Sequence, residues 1–175
     1  MIMNFNDHLN RESFDYFVKT IDSFLMNRQE GEKLNIYFGS PGGINSIASA
    51  IIKLINDNKE NIILYAYDQI SSNGFKVFFE VKCEKMLIED VIGMYHLTRI
   101  DEISIYEGGK MNNNNTYEQF ARKSVSSFYY LNKVHKYVNF TKEELEDIKN
   151  HKDIFFNYNR LMEMYRYNKK YLKNE

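Results

Sequence analysis

Residues 34–67 read LNIYFGSPGGINSIASAIIKLINDNKENIILYAY, and this stretch decides the fold class. An apolar strand, Leu34–Phe38, comes first and ends sharply at the turn Gly39–Gly43. Apolar side chains then recur at helical spacing from Ile44 to Ile55, which predicts an amphipathic helix. A second apolar strand follows over Asn61–Tyr67. A strand, a helix and a strand joined by short links predict a right-handed parallel crossover, and therefore an α/β fold.

The segment before this unit adds another strand and another helix. Met1–Asn6 reads as a short strand. Asn10 is placed to cap a helix, because asparagine is favoured at that position and apolar residues at helical spacing follow it. Those residues are Phe14, Phe17, Val18, Ile21 and Leu25.

The segment after this unit repeats the pattern with a shift. The residues predict a loop over Asp68–Ser71 and a short helix over Ser72–Glu80. Two short strands follow, Lys85–Ile88 and Val91–Tyr95. His96 therefore stands at the end of an element rather than in a core.

The last third of the chain is predicted to be mostly helical, and nothing in it indicates a second domain within residues 1–175. Thr141 and Glu144 have the spacing of a capping box. The other predicted segments are an extended one at Arg99–Tyr106, a flexible one at Gly108–Asn115, a long helix at about Thr116–Val138, an extended one at Asp153–Phe156, and a C-terminal helix within residues 157–175, from about Tyr158 to Leu172.

Composition excludes several classes of protein. The 175 residues are 43% apolar and 27% charged, an ordinary globular balance, and the formal net charge of −1 gives no basic field for nucleic acid or anionic membrane. The single cysteine, Cys83, cannot form an internal disulfide. Neither a secretory signal nor a membrane-spanning stretch is visible, so a cytoplasmic protein is expected.

Three local features are candidates for chemistry: the glycine pair Gly42 and Gly43, Ser72, and His96. Gly42 and Gly43 open a helix directly after a buried strand, where backbone N–H groups can hold a developing negative charge. Ser72 begins the next helix after the next strand, and Gly74 removes a side chain beside it. Each feature also has a plain interpretation: a common Pro-Gly turn, a serine that only caps a helix, and, for His96, an ordinary surface histidine.

Taken together, these residues resemble a known family. Ile36–Gly43 (IYFGSPGG) resembles the strand and turn "YINSPGG" of the Clp protease proteolytic subunit. Tyr67–Gly74 (YDQISSNG) resembles its nucleophile segment "GMAASMG", and Gly93–His96 (GMYH) resembles its histidine strand "MIH". The gaps between the three motifs also fit the family, and the resemblance extends from about Met3 to Leu97. It implies the Clp/crotonase-like spiral of strand-strand-helix units, with the long helix after Asn115 as a protruding handle through which subunits pair.

The resemblance also implies a role for each matching residue. Ser72 would be the nucleophile and His96 its base, and the N–H groups of Gly43 and Asn73 would form the oxyanion hole. The third member of the triad is open: Asp153 is preferred because it precedes an extended segment, Asp147 lies inside a predicted helix, His151 falls nearest in an ungapped alignment, and the acid could be absent. The implied mechanism needs neither a cofactor nor a metal ion. The implied substrate is a peptide or unfolded protein, and the implied assembly is a homo-oligomeric ring or stacked rings.

Some features depart from the family. Only about 40 residues precede the glycine turn, too few for the N-terminal loops that meet an unfoldase. Asp68 and Gln69 replace small residues in the nucleophile segment, and residues 160–175 replace the usual ending with a stretch rich in Tyr, Lys and Arg. These departures indicate a divergent branch. They leave open its host or phage origin, its natural substrate, its ring size and any Clp-type ATPase partner.

Three other functions are compatible with parts of the sequence. A catalytically weak or inactive Clp-like scaffold, acting in assembly or binding, is the main alternative. An acyl-CoA hydratase or isomerase of the crotonase group shares the architecture but does not need a serine and a histidine at these positions. Nucleic-acid binding through the five basic residues between Arg160 and Lys173 is less favoured, since such residues more often line a solvated helix face.

Overall fold

The computed structural model of the chain describes residues 1–97, 129 and 131–174. It has an α/β fold built on a mixed sheet. The strands are β1 (Ile2–Asn6), β2 (Leu34–Ser40), β3 (Ile62–Ser71), β4 (Glu84–Leu87), β5 (Ile92–Tyr95) and β6 (Ile154–Phe156). Their order in the sheet is β1-β2-β3-β5-β6, and β4 also pairs with β3. All pairs among these strands are parallel except β5 with β6.

Five α-helices with assigned bounds lie in the described part of the chain. They are α1 (Arg11–Asn27), α2 (Asn45–Asp57), α3 (Asn73–Glu80), α4 (Lys142–Lys149) and α5 (Tyr158–Leu172). A single 3-10 turn, Lys59–Asn61, leads into β3. Residues 131–138 are also helical and lie within the range predicted for the long helix. The rest of that predicted range and the segments predicted at 99–106 and 108–115 lie outside the described residues.

The predicted helix caps are confirmed. The side chain of Asn10 accepts a hydrogen bond from the Ser13 N–H at 2.8 Å, and the Ser13 hydroxyl is 2.9 Å from the Asn10 N–H, which completes a capping box. Thr141 and Glu144 form the same arrangement at the start of α4. Each box satisfies backbone N–H groups that the first turn of a helix leaves without partners.

Strand β3 is the centre of the sheet, and it serves two partners in succession on one side. Its first part, Ile63–Ala66, pairs with β4, and its last part, Gln69–Ser71, pairs with β5. The prediction of a loop over Asp68–Ser71 is therefore wrong. Asp68 has a positive φ of 58° and lies where the β2–β3 register shifts. The strand continues past this irregularity because β5 supplies new backbone partners.

The helices that pack on the sheet bury its apolar residues. Phe17 of α1 packs edge-on against Phe5 and Phe38, with ring centroids 5.0 and 6.4 Å away. Helix α5 approaches β5 so closely that a Cβ on Gly93 would lie 2.6 Å from Leu161. A side chain at that position would require the Leu161 side chain to move. In the described part of the chain, no helix is both long and apolar enough to cross a membrane.

Helix α3 is anchored at its C-terminal end by a buried lysine. The Lys85 ammonium group donates to the carbonyl oxygens of Phe78, Phe79 and Val81 at 2.9, 3.1 and 2.8 Å. Burial lowers the pKa of Lys85 to about 7. The backbone carbonyl of Lys85 accepts a hydrogen bond from the Tyr165 hydroxyl, which ties this corner to α5. The far end of α3 is thus held in place, and its N-terminal end lies at the candidate site.

Candidate active site

Ser72 lies at the sharp junction between β3 and α3. Its φ of 53° and ψ of −117° lie in a region that non-glycine residues rarely adopt, at a cost of about 1–3 kcal/mol. Its backbone N–H donates to the carbonyl of Met94 at 2.8 Å, which holds the junction against β5. The side chain makes no capping hydrogen bond to α3, so the interpretation of Ser72 as only a helix cap is wrong. The strained turn instead directs the hydroxyl away from the helix.

His96 follows the last residue of β5, and its imidazole contacts this hydroxyl. The distance from Nε2 of His96 to Oγ of Ser72 is 2.9 Å, a hydrogen bond. The pairing of β3 with β5 produces this contact, since Ser71 and Met94 are register partners. With Nε2 as the acceptor, the imidazole can take the hydroxyl proton.

Asp153 lies on the other side of the imidazole. Strand β6 runs antiparallel to β5 with Tyr95 opposite Ile154, so the next residues, His96 and Asp153, face each other. Nδ1 of His96 is 3.3 Å from Oδ1 of Asp153, which is within ion-pair distance but longer than a standard N–H···O hydrogen bond. Catalytic hydrogen bonds are often long before substrate binds. The side chains are 22% and 33% exposed, so solvent reaches both.

The other two candidates for the acid make different contacts. Asp147 lies in α4 and pairs with Lys152, with Oδ1 and Nζ 2.6 Å apart. His151 lies in the turn after α4, with a positive φ of 60°. Of the three candidates, Asp153 is the one that the structure places beside His96.

The glycine turn contacts the same junction from the end of β2. A Cβ on Gly42 would lie 2.7 Å from Cβ of Ser72 and 3.0 Å from the carbonyl oxygen of Ser71. On the other side, the Leu9 N–H donates to the Gly42 carbonyl at 2.8 Å, and the Ile44 N–H donates to the Leu9 carbonyl at 2.7 Å. The turn is therefore fixed between the segment at Leu9 and the serine.

These hydrogen bonds determine where the Gly43 peptide groups point. In a trans peptide, the C=O and the N–H point in opposite directions. Because the Gly42 carbonyl points toward Leu9, the Gly43 N–H points away from Leu9, to the side of α3. The Asn73 N–H belongs to the first turn of α3, where no intrahelical acceptor exists. The Gly43 N–H therefore faces the side of α3, and the Asn73 N–H has no acceptor within its own helix.

Gly42→Ala is expected to slow modification of Ser72 by a fluorophosphonate at least about 100-fold, because the added methyl group displaces the serine. The matched control is Gly31→Ala. Gly31 also has a positive φ, 82°, but a Cβ there meets nothing within 4 Å. Circular dichroism checks that both variants fold. An unchanged labelling rate in Gly42→Ala would show that the close approach is irrelevant to the site.

Sequence reasoning missed several residues that shape this site. The backbone carbonyl of Met94 positions Ser72, and a carbonyl carries no signal in the sequence. Ser40 lies against α3, where a Cβ on Gly74 would be 2.7 Å from the Ser40 carbonyl oxygen. The side-chain amide of Asn73 donates to the carbonyl of Gly43 at 2.6 Å. The sequence carried a sign only of Asn73, which is polar where the Clp motif "GMAASMG" has methionine.

A buried charged residue lies one turn after Ser72. Lys76 is 3% exposed, and its ammonium group donates to Oδ1 of Asn45 at 2.8 Å and to Oγ of Ser49 at 3.1 Å. Burial lowers the pKa of Lys76, and the neighbouring Glu80 partly offsets this. These contacts join α3 to the first turns of α2, which follows the glycine turn.

No model of a known protein family matches the chain, and no curated protein matches it. Among the described residues, no three His, Cys, Asp or Glu side chains are grouped so that they could hold a metal ion. The site brings the Ser72 hydroxyl, the His96 imidazole and the Asp153 carboxylate together in succession.

Proposed function

We propose that the chain is a serine endopeptidase of the Clp type, with Ser72 as nucleophile, His96 as general base and Asp153 as the orienting acid. The observation that carries the proposal is the continuous contact from Oγ of Ser72 to Nε2 of His96, 2.9 Å, and from Nδ1 of His96 to Oδ1 of Asp153, 3.3 Å. The three residues come from three separate parts of the chain. Each stands at a strand end, where its backbone is fixed.

In the proposed reaction, Oγ of Ser72 attacks the carbonyl carbon of a peptide bond while Nε2 of His96 takes its proton. The tetrahedral intermediate collapses when His96 returns the proton to the leaving amine. An acyl-enzyme remains on Ser72, and a water molecule activated by His96 hydrolyses it. Asp153 holds the imidazole in the tautomer with hydrogen on Nδ1 and stabilises the imidazolium that forms.

The proposed oxyanion hole consists of the backbone N–H groups of Gly43 and Asn73. Both groups are peptide dipoles held before the reaction starts, so they need no reorganisation as the charge develops. The N-terminal end of α3 adds its own positive potential at the same place.

The sheet supports the Clp/crotonase-like part of the proposal. Strand β3 pairs with β4 along its first part and with β5 along its last part, and helix α3 follows it directly, which is compatible with a succession of strand-strand-helix units. The three motifs of the resemblance lie at the end of β2, at the β3–α3 junction and at the end of β5. Helical residues 131–138 would be the base of the handle.

The decisive experiment is labelling with a fluorophosphonate probe. The wild-type chain is expected to be labelled on Ser72, and Ser72→Ala is expected to lose all labelling. Ser46→Ala is the matched control, since Ser46 is an exposed serine on the neighbouring helix α2. A folded, assembled wild-type chain that takes up no label would overturn the peptidase and favour an inactive scaffold.

We further propose that the substrate is a peptide or unfolded protein and that the enzyme works as a homo-oligomeric ring. Light scattering coupled to size exclusion measures the assembly. A ring would hide the sites in a chamber, as processive proteases do, while a stable monomer that is still labelled would restrict the activity to free peptides. Stimulation by a Clp-type ATPase can be measured on the same preparation with a folded substrate.

A further inference from the structure

The side chain of Asn73 joins the two segments that supply the proposed oxyanion hole. Asn73 follows Ser72 directly and begins α3. Its Nδ2 donates to the backbone carbonyl of Gly43 at 2.6 Å. The donor and the acceptor belong to the same two residues whose backbone N–H groups are proposed to hold the oxyanion. The bond therefore connects both halves of the hole.

The Gly43 carbonyl would be harmful to an oxyanion if it were left open. The Ile44 N–H points toward Leu9, so the Gly43 carbonyl of the same trans peptide points the opposite way, to the side of α3. The Gly43 N–H points to that side as well. A carbonyl oxygen carries partial negative charge, and facing a developing negative charge it raises the energy of the transition state. The Asn73 amide covers this oxygen with a donor.

The same bond limits the freedom of the glycine turn. Gly42 and Gly43 have positive φ values of 109° and 144°, and glycine backbones move easily between conformations. The Leu9 segment holds one side of the turn through two hydrogen bonds, and Asn73 holds the other side. Because the turn is held on both sides, the Gly43 N–H keeps its direction while the reaction proceeds.

We propose that Asn73 is a positioning residue, whose side-chain amide orients the Gly43 peptide and neutralises its carbonyl so that the oxyanion hole stays formed. The inference rests on the proposed peptidase function. It assigns to the Asn73 side chain a role that is separate from that of its backbone N–H. Removal of the Asn73 amide is therefore predicted to reduce transition-state stabilisation and to change substrate binding little.

The test compares Asn73→Ala and Asn73→Asp with the wild-type chain, on the fluorogenic peptide that the wild-type chain cleaves fastest in a panel. Asn73→Ala is expected to lower kcat about 10- to 100-fold, a smaller effect than removing a direct donor, and to change KM less than about threefold. Asn73→Asp keeps the size of the side chain but offers only acceptor oxygens, so a larger loss is expected.

A peptide boronic acid provides the readout that a merely structural role would not move. It forms a tetrahedral adduct with the serine and resembles the transition state, so its inhibition constant is expected to rise in proportion to the loss of kcat/KM. The matched control is Asn58→Ala. Asn58 also donates from Nδ2 to a backbone carbonyl, that of Leu54 at 2.9 Å, but at the far end of α2.

Each outcome has a distinct meaning. If the wild-type chain is active and both Asn73 variants stay within twofold of its kcat, the inference is wrong and the proposed function stands. A loss seen in KM alone, or a boronate constant that does not change, overturns the inference equally. A folded wild-type chain that is neither labelled nor active overturns the proposed function, and this inference with it.

Discussion

His96→Ala is expected to lower kcat/KM for peptide hydrolysis by about 10⁴- to 10⁶-fold and leave the fold intact. Nε2 of His96 is the base within reach of the Ser72 hydroxyl, at 2.9 Å, and a serine hydroxyl is a weak nucleophile without a base. The residual rate comes from the backbone donors and substrate binding, which the substitution leaves in place.

The measurement is the initial rate on a fluorogenic peptide, with thermal unfolding followed by circular dichroism. The control is His151→Asn, because asparagine tolerates the positive φ of 60° at that turn. The His151 side chain is exposed in the turn after α4, so its replacement should keep the rate within about twofold. A fully active His96→Ala variant would remove the imidazole from the mechanism.

Asp153→Asn is expected to reduce kcat about 10²- to 10⁴-fold and to leave KM nearly unchanged. An asparagine amide can donate to Nδ1, which favours the wrong tautomer and removes the charge that stabilises the imidazolium. Because the side chains have the same size, the β5–β6 pairing should persist. Asp147→Asn, which breaks only the contact with Lys152, is expected to keep full activity.

The paired aspartate variants decide which carboxylate serves the imidazole. Loss of activity in Asp147→Asn with full activity in Asp153→Asn would contradict the assignment drawn from the 3.3 Å contact. Equal, full activity in both would identify an enzyme that works with a serine and a histidine alone. Thermal unfolding of both proteins checks that the comparison concerns chemistry rather than stability.

Much of the fold could be predicted because local patterns and pairing partners agree. The crossover from β2 through α2 to β3 follows from strongly apolar strands, a glycine turn and a helical repeat. The caps at Asn10 and Thr141 were readable because capping depends on neighbours within three residues. Helix α5 has the predicted bounds, Tyr158–Leu172.

The extent of β3 could not be predicted, because it depends on a distant partner. Three of the four residues from Asp68 to Ser71 are polar, which is typical of a loop, yet Gln69, Ile70 and Ser71 pair with β5. Backbone pairing of this kind leaves no local mark in composition. The sequence also could not predict the positive φ of Asp68 or the 3.0 Å hydrogen bond from Asn6 to the Asp68 carboxylate.

The candidate site was predictable only in part, for a related reason. Ser72 and His96 could be selected from the sequence only through the resemblance to the Clp motifs, because on local evidence each has a plain interpretation as a helix cap or a surface histidine. The acid could not be decided, because its place depends on the antiparallel register of β6 against β5, with Tyr95 opposite Ile154. The contact between Asn73 and Gly43 required coordinates, since the two residues lie 30 positions apart.

The short strand β6 has a consequence for how the protein loses function. Asp153 precedes a strand of three residues that, among the described strands, pairs with β5 alone; Phe155 on it is 70% exposed, although Phe156 is buried. Short segments at the edge of a sheet open locally at lower free energy than the whole fold. Fraying of β6 would carry the carboxylate away while Ser72 and His96 keep their places in the parallel part of the sheet. Inactivation on warming should therefore precede cooperative melting, so that a half-life of activity reports on one edge of the molecule rather than on its core.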